Sequence, residues 1–242
     1  MNKLFATTAM AVSLIATTAH ANFTMRGVMS GLLDNKGEVS CSRYNNWMKT
    51  HPNEREIMNQ WILGFYSGVE SQITEEPKHA KATGSEQPID SILNMVKSFC
   101  KEHPKQMVLA IIPVGVEYWL NKPANPRYNH GFNVRGVLAQ NNTTCQNLIM
   151  EIDGEWSSGR SSLKVTPAST ERKFLLEEWM LGFASGVESQ VLYGKPLTTD
   201  KVSNEELLDS IYAACRANPT EYAFMVVLDQ VTSQHQHAAA GD

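Results

Sequence analysis

Two glutamates, Glu70 and Glu188, are the residues of this chain whose type and repetition could support acid and base catalysis. Both stand in the segment Gly-Val-Glu-Ser-Gln, and two carboxylates can donate and accept protons in turn. No histidine recurs at a matching position, so no proton-transfer partner accompanies them. Arg26 and Arg135 are repeated in the same way. We therefore expect a structural ion pair between arginine and glutamate within each repeat, with catalysis by the glutamates as the weaker alternative.

A serine also recurs, as Ser67 and Ser185 in the pattern Phe-x-Ser-Gly. The nucleophile elbow of serine hydrolases has the pattern Gly-x-Ser-x-Gly and lies on a turn between a strand and a helix. Here the first glycine is missing at the required offset, and the surrounding residues have helical periodicity. The sequence also lacks a phosphate loop, a dinucleotide fingerprint and the spacing of a zinc site. We therefore expect no enzymatic activity, no metal and no cofactor.

These residues belong to a segment that occurs twice in the chain. Positions 61–72 and 179–190 are identical at ten of twelve places, which indicates an internal duplication into two small domains. Each repeat opens with an arm, residues 23–29 and 132–138, that has the pattern Phe-x-x-Arg-Gly-Val. The predicted order is a signal peptide at 1–21, a unit at 22–121, a linker at 122–131, a unit at 132–234 and a flexible tail at 235–242.

The first residues have the pattern of a secretory signal peptide. Lys3 precedes a mostly apolar run, and Ala19-His20-Ala21 fits the cleavage site, so we expect export to the periplasm or the exterior after cleavage at Ala21. The run is too short and too often interrupted for a membrane span. Removal of Lys3 leaves 20 basic and 25 acidic residues in the mature chain, which gives no electrostatic basis for binding nucleic acid. We expect no membrane association after cleavage.

The four cysteines are used in equivalent places, two in each repeat. An even number of cysteines in an exported chain favours disulfides, and four cysteines allow three pairings. The duplication favours one bond within each repeat, Cys41 with Cys100 and Cys145 with Cys215. A bond between the repeats remains the alternative that peptide mapping would reveal.

Apolar residues at helical spacing predict four helices in each repeat. The ranges are 41–48, 53–73, 88–102 and 104–120 in the first, with equivalents in the second at 145–152, around 174–187, at 205–217 and 219–231. A proline inside the fourth helix, Pro113, should kink it. The arm is not helical in pattern, and two paired arms would add a short two-stranded sheet. The predicted fold is therefore mainly α, with two homologous four-helix units, each containing one disulfide.

Glycines at a spacing of four residues interrupt the long helix of both repeats. Glycine inside a helix costs roughly 0.5 to 1 kcal/mol relative to alanine, so Gly64, Gly68, Gly182 and Gly186 need a compensating role. We expect that role to be close helix packing, either within a unit or between the two long helices across a pseudo-twofold axis. A ligand lying against the bare backbone is the alternative.

The combined pattern resembles two kinds of small exported helical protein. A cysteine that opens a short helix, a long helix with Trp-x-Leu-Gly-Phe-x-Ser-Gly and a closing Cys-x-x-x-Pro resemble the Hde acid-stress periplasmic chaperones. The Gly-x-x-x-Gly-Val helix followed by His103-Pro104 or Asn218-Pro219 is similar to the Rap/Tai immunity proteins of type VI secretion. The resemblance implies a protein that binds another protein, a toxin or other partner, with an acid-stress chaperone as the alternative. The oligomeric state is left open.

Overall fold

The computed structural model describes residues 26–33, 39–74, 89–120, 143–153, 167–191 and 202–240. Helices account for most of these residues and no strand occurs among them, so the fold is mainly α as predicted. The predicted signal peptide at 1–21, the linker at 122–131 and the second arm at 132–138, with Arg135, lie outside the described residues.

Eight α-helices occur in the described residues, four on each side of the predicted linker. They are α1 (Cys41–Thr50), α2 (Arg55–Thr74), α3 (Ile89–Glu102), α4 (Ile111–Leu120), α5 (Cys145–Ile152), α6 (Pro167–Val191), α7 (Asn204–Ala217) and α8 (Ala223–Ala240). Short 3-10 helices cover Gly27–Leu32, Pro52–Glu54 and Val108–Ala110. The long helices α2 and α6 contain the repeated twelve-residue segment.

The two short helices α1 and α5 begin in the same way. The side chain of Ser40 accepts a hydrogen bond from the backbone N–H of Arg43, and Thr144 accepts one from Asn147. Serine and threonine are favoured at this position because the first N–H groups of a helix have no partner within it. The cysteine that follows each cap is therefore held at a fixed point, the first residue of its helix.

Two disulfides join these short helices to the third helix of each half. Cys41 bonds Cys100 with a Cα–Cα distance of 4.7 Å, and Cys145 bonds Cys215 with a distance of 4.8 Å. All four cysteines are buried, and the predicted pairing is confirmed. The bonds fasten α1 to α3 and α5 to α7.

The prediction that Pro104 and Pro219 start helices was wrong, because both lie in turns before the helix. Their carbonyl oxygens accept hydrogen bonds from the backbone N–H groups of Ser42 (2.8 Å) and Gln146 (2.9 Å). Both donors lie in the first turn of α1 or α5, where a backbone N–H has no intrahelical acceptor. The turn residues therefore supply acceptors to a neighbouring helix, and α4 and α8 begin several residues later.

The last helix of each half also differs from its prediction. Pro113 is the third residue of α4 and lies in the first turn, where its missing N–H costs no intrahelical hydrogen bond. The basis for a kink in mid-helix is therefore absent. In α8 the backbone is helical through Ala240, beyond the predicted end of this helix at residue 231.

Buried residues from both halves form one hydrophobic core, centred on the long helices. The largest of its buried side chains include Trp61, Phe65, Trp179 and Phe183, and each tryptophan stacks on the phenylalanine one turn later. Phe174, an apolar residue of the helix predicted around 174–187, is 48% exposed. Its place at the start of the helix lies before the part of α6 that is buried.

The described part of the first arm, from Arg26 onward, is not the strand that its pattern suggested. Arg26 has extended backbone angles, but a 3-10 helix begins at Gly27, whose φ of 63° lies in the left-handed region that favours glycine. The change from extended to helical backbone therefore takes place at the glycine. The second arm, with which a two-stranded sheet was predicted, lies outside the described residues.

Candidate functional site

The four repeated glycines lie where α2 and α6 pack against each other. A Cβ atom built on Gly64 would lie less than 3.0 Å from the carbonyl oxygen of Trp179, and one built on Gly182 would lie equally close to that of Trp61. Gly68 and Gly186 face the carbonyl oxygens of Phe183 and Phe65 in the same manner. Only a residue without a side chain fits at such positions. The contact therefore joins backbone to backbone across the two helices.

The same contacts give the direction of the helix pair. As the glycine in α2 advances from Gly64 to Gly68, the facing carbonyl in α6 advances from Trp179 to Phe183. The two helices therefore run in the same direction. If α2 and α6 are exchanged, the contact of Gly64 with Trp179 becomes the contact of Gly182 with Trp61. The other two glycine contacts are exchanged in the same way. The two helices are therefore related by a pseudo-twofold axis.

Both repeated serines are buried beside this crossing and donate to their own helix. Ser67 Oγ donates to the carbonyl of Leu63 at 2.8 Å, and Ser185 Oγ donates to that of Leu181 at 2.9 Å. Such bonds to the preceding turn are a common way of satisfying a buried hydroxyl in a helix. Both hydrogen bonds are to backbone carbonyl oxygens of the same helix.

The backbone of Arg26 is held by both long helices at once. Its N–H donates to Ser185 Oγ at 3.2 Å, and its carbonyl accepts a hydrogen bond of 2.8 Å from the indole Nε1 of Trp61. The arm therefore lies in the groove between α2 and α6. A buried tryptophan N–H usually has a partner of this kind, because an unsatisfied donor is costly away from water.

The side chain of Arg26 pairs with the glutamate of the other repeat. Its Nε and Nη2 both donate to Glu188 Oε1, at 3.2 and 2.8 Å, while Nη1 donates to the carbonyl of Val202 at 2.8 Å. Arg26 is 3% exposed and Glu188 1% exposed. The expected pair within each repeat is therefore not formed by Arg26. The parallel crossing of α2 and α6 brings Glu188 to the groove that holds the first arm.

Glu70, the equivalent of Glu188, is also buried in the crossing, on α2. Its expected partner within the first repeat, Arg26, pairs with Glu188 instead, and Arg135, the expected partner of Glu188, lies outside the described residues. The structure thus brings Arg26, Glu188 and the repeated serine of α6 together, and it places Glu70 in the matching position of α2.

A third glutamate, Glu178, contacts the arm from a position on α6 nearly three turns before Glu188. Its Oε2 accepts a hydrogen bond of 2.7 Å from the backbone N–H of Val28 and lies against Gly27, where a Cβ would collide with it. Burial raises the pKa of Glu178 to about 6, an effect only partly opposed by that hydrogen bond. The site therefore contains a carboxyl that titrates in mildly acidic solution.

Sequence comparison of the repeats missed Glu178 because its equivalent in α2 is Gln60. One signal could have found it: Glu178 precedes Gly182 by four residues and so lies on the same helix face as the glycines. An acidic residue on a face that packs against another helix needs a specific partner.

The chemistry available to this cluster is limited by its burial. Arg26, Glu178 and Glu188 are each less than a tenth exposed, and their described contacts are to other parts of the chain. Among the described residues, no three His, Cys, Asp or Glu side chains are grouped closely enough to hold a metal ion. The contacts observed fix the arm to the helix pair.

No helix within the described ranges has the length and apolar character needed to cross a membrane. No protein-family model, curated protein or solved structure matches the chain.

Proposed function

We propose that this chain is a non-enzymatic module that binds another protein outside the cytoplasm, built from two copies of a four-helix unit. The observation that supports this proposal most strongly is the burial of the residues that both repeats retain. The glycines, serines and glutamates of the repeated segment are all buried in the contact between α2 and α6. Their retention is explained by the scaffold, so we assign binding to parts of the surface that differ between the repeats.

The compartment follows from the cysteines. Two buried disulfides indicate an oxidising environment outside the cytoplasm. Together with the leader-like sequence at 1–21, they support a periplasmic or secreted protein, and we propose cleavage after Ala21. Bacterial toxins that act in the periplasm, and proteins that unfold there, are partners such a module could meet.

Burial argues against the catalytic alternative. General acid or base catalysis requires a side chain within hydrogen-bonding reach of the substrate. Glu188 forms an ion pair with Arg26, and both Glu188 and Glu70 are buried. A substrate could reach them only if α2 and α6 separated.

The proposed contact surface consists of two polar loops that differ between the repeats, residues 75–87 and 194–204. Most of their residues lie outside the described ranges. Ile89, two residues after the first loop and the first residue of α3, is 41% exposed and would extend the surface with an apolar side chain. Toxin neutralisation predicts a partner bound stably at neutral pH through this surface.

The test is a pulldown with the immobilised mature chain from periplasmic extract at neutral pH, followed by size-exclusion chromatography of the eluate. We expect one partner in a fixed stoichiometric ratio. A variant with residues 79–85 replaced by glycine and serine should lose it, while the control Lys101→Ala, exposed at the other end of α3, should retain it. Absence of any stoichiometric partner would contradict the proposal.

The acid-stress chaperone is the second candidate, favoured by the buried pair of Arg26 and Glu188. Loss of either member of this pair leaves the other charge buried without a counter-charge, which destabilises a fold strongly. A chaperone of this kind should bind a hydrophobic dye and suppress client aggregation below about pH 3 to 4, with both disulfides intact. A chain that stays compact at that pH and leaves aggregation unchanged would exclude this role.

A further inference from the structure

The first arm is bound mainly by residues of the second repeat. On α6, Ser185 accepts a hydrogen bond from the backbone N–H of Arg26, and Glu188 accepts one from its guanidinium. On α2, Trp61 donates a hydrogen bond to the carbonyl of Arg26. Each of these three residues has an equivalent on the other long helix. Under the exchange of α2 with α6 that relates the glycine contacts, they correspond to Ser67, Glu70 and Trp179.

The corresponding set has the same surroundings. Ser67 and Ser185 make the same hydrogen bond to the preceding turn, and both tryptophans are fully buried and stacked on a phenylalanine. Glu70 is 5% exposed. A buried glutamate requires a cationic or hydrogen-bonding partner, because an isolated buried charge is very costly.

We propose that Ser67, Glu70 and Trp179 form a second binding site for an Arg-Gly segment, and that its occupant is the arm at residues 132–138. The arm has the sequence that the first site binds: Arg135-Gly136-Val137 repeats Arg26-Gly27-Val28. The charge of Arg135 is complementary to that of Glu70. Each arm is then bound by the long helix of the other repeat.

The connection is long enough for this placement. Twenty-two residues separate Leu120, the end of α4, from Thr143, and such a segment can span about 70 Å when extended. One difference between the sites lies at Gln60, which stands where Glu178 accepts the N–H of Val28. The amide oxygen of glutamine is also an acceptor, so the same backbone contact is available.

This exchange of arms gives the fusion of two units a physical reason. A unit separated from its partner would lack the groove that holds its arm, because Arg26 makes its ion pair across the crossing. The fused chain supplies both grooves at a fixed ratio. The other conceivable occupant is the arm of a second copy of the chain, which the same sequence would equally fit.

A set of double-mutant cycles on the full mature chain tests the proposal. Urea midpoints are compared for Glu70→Ala, Arg135→Ala and the double variant, with Glu188→Ala and Arg26→Ala as the matched cycle. In both cycles we expect the double variant to have a midpoint no lower than that of the worse single variant. Two crossed cycles, Arg26 with Glu70 and Arg135 with Glu188, should give additive shifts.

Additive shifts in the Glu70 and Arg135 cycle overturn the proposal, as does strong coupling in either crossed cycle. If the single variants fail to fold, Glu70→Leu combined with Arg135→Met should recover the native circular dichroism spectrum. Failure of that combination also counts against it. Size-exclusion chromatography at two concentrations identifies the occupant: coupling confined to a dimer would assign the arm to a second copy and reject the intramolecular site.

Discussion

Arg26 and Glu188 are 162 residues apart in the chain, yet the guanidinium donates to Glu188 Oε1 from both Nε and Nη2. The same guanidinium donates to the carbonyl of Val202 at 2.8 Å, so three of its nitrogens are used, two toward one carboxylate oxygen and one toward a backbone carbonyl. This geometry depends on the planar fork of arginine. It fastens the start of the first repeat to α6 and to the residue that precedes the cap of α7.

The first prediction concerns that fork. Arg26→Lys retains the positive charge but replaces a planar group by a single ammonium, which cannot make all three contacts with the same geometry. We expect a loss of about 2 kcal/mol in the free energy of unfolding, the magnitude of hydrogen bonds to charged groups. Urea denaturation of the variant, followed by circular dichroism, measures it.

Arg43→Lys is the matched control. Arg43 also donates to two backbone carbonyls, those of Leu32 and Leu33, but it is exposed. Water can replace these bonds, so we expect a change within about 0.5 kcal/mol. Equal effects of the two substitutions would mean that burial of the Arg26 fork is unimportant.

Much of the helical framework could be predicted from the sequence, and the reason is periodicity. Buried residues four apart in α2, such as Trp61, Phe65 and Val69, indicate a helix without any knowledge of its neighbours. The positions of the disulfides followed from the repeat, because Cys41 and Cys145 hold equivalent places. These are local signals, and each concerns one segment of the chain.

The partner of Arg26 could not be predicted in this way. A repeat gives equal support to pairing within a copy and to pairing across copies, and only the crossing of α2 and α6 decides between them. The turns at Pro104 and Pro219 were missed for a related reason. Their role is to supply acceptors to α1 and α5, which depends on tertiary contact.

The second prediction tests the glycine contact through the sign of the stability change when a glycine is replaced by alanine. Alanine in place of a mid-helix glycine should stabilise a free helix by roughly 0.5 to 1 kcal/mol. At Gly64 the new Cβ would collide with the carbonyl oxygen of Trp179, a backbone atom that cannot move alone. We therefore expect Gly64→Ala to destabilise the protein by about 2 kcal/mol or more, as overpacking does. Thermal denaturation gives the sign directly.

Gly115→Ala serves as the comparison for that prediction. Its Cβ would meet only the side-chain end of Met95, a flexible group that can rotate away. The expected change is within about 1 kcal/mol, with a gain in helix propensity offsetting the displaced methionine. If Gly64→Ala is equally mild, α2 and α6 are able to separate slightly at no cost, and the close approach is not required.

The third prediction is a pH dependence caused by Glu178. Burial raises its folded pKa to about 6, above the ordinary value of 4.5. Between these two values the folded state retains a proton that the unfolded state has lost, so stability from this group falls as pH rises from about 4.5 to 6. Once the pH is well above both pKa values, the loss in the free energy of unfolding from this group is roughly 2 kcal/mol. Glu178→Gln should remove it while its amide oxygen still accepts from Val28.

The comparison is made by urea denaturation at pH 4 and pH 7. Relative to the parent chain, Glu178→Gln should gain up to about 2 kcal/mol at pH 7 and little at pH 4. Glu221→Gln, at an exposed turn, should leave the difference between the two pH values unchanged. A Glu178→Gln curve parallel to that of the parent at both pH values would show that this carboxyl does not titrate in the range.

The fourth prediction concerns cooperativity. Because buried residues of both halves form one core across α2 and α6, we expect a single unfolding transition, with equal van't Hoff and calorimetric enthalpies. Replacing Cys145 and Cys215 by alanine opens a loop of 70 residues and should cost about 4 kcal/mol in the chain-entropy model. The whole transition should move to lower temperature, and it should remain one transition.

The corresponding variant of Cys41 and Cys100, whose loop spans 59 residues, is the natural partner experiment. Loop entropy grows only slowly with length, so the two variants should shift the melting temperature by nearly the same amount. Calorimetry would reject a shared core if either variant showed two heat-absorption peaks, one at the parent melting temperature and one at a lower temperature. Each half would then unfold independently, and the arm contact of Arg26 with Glu188 would be too weak to couple them.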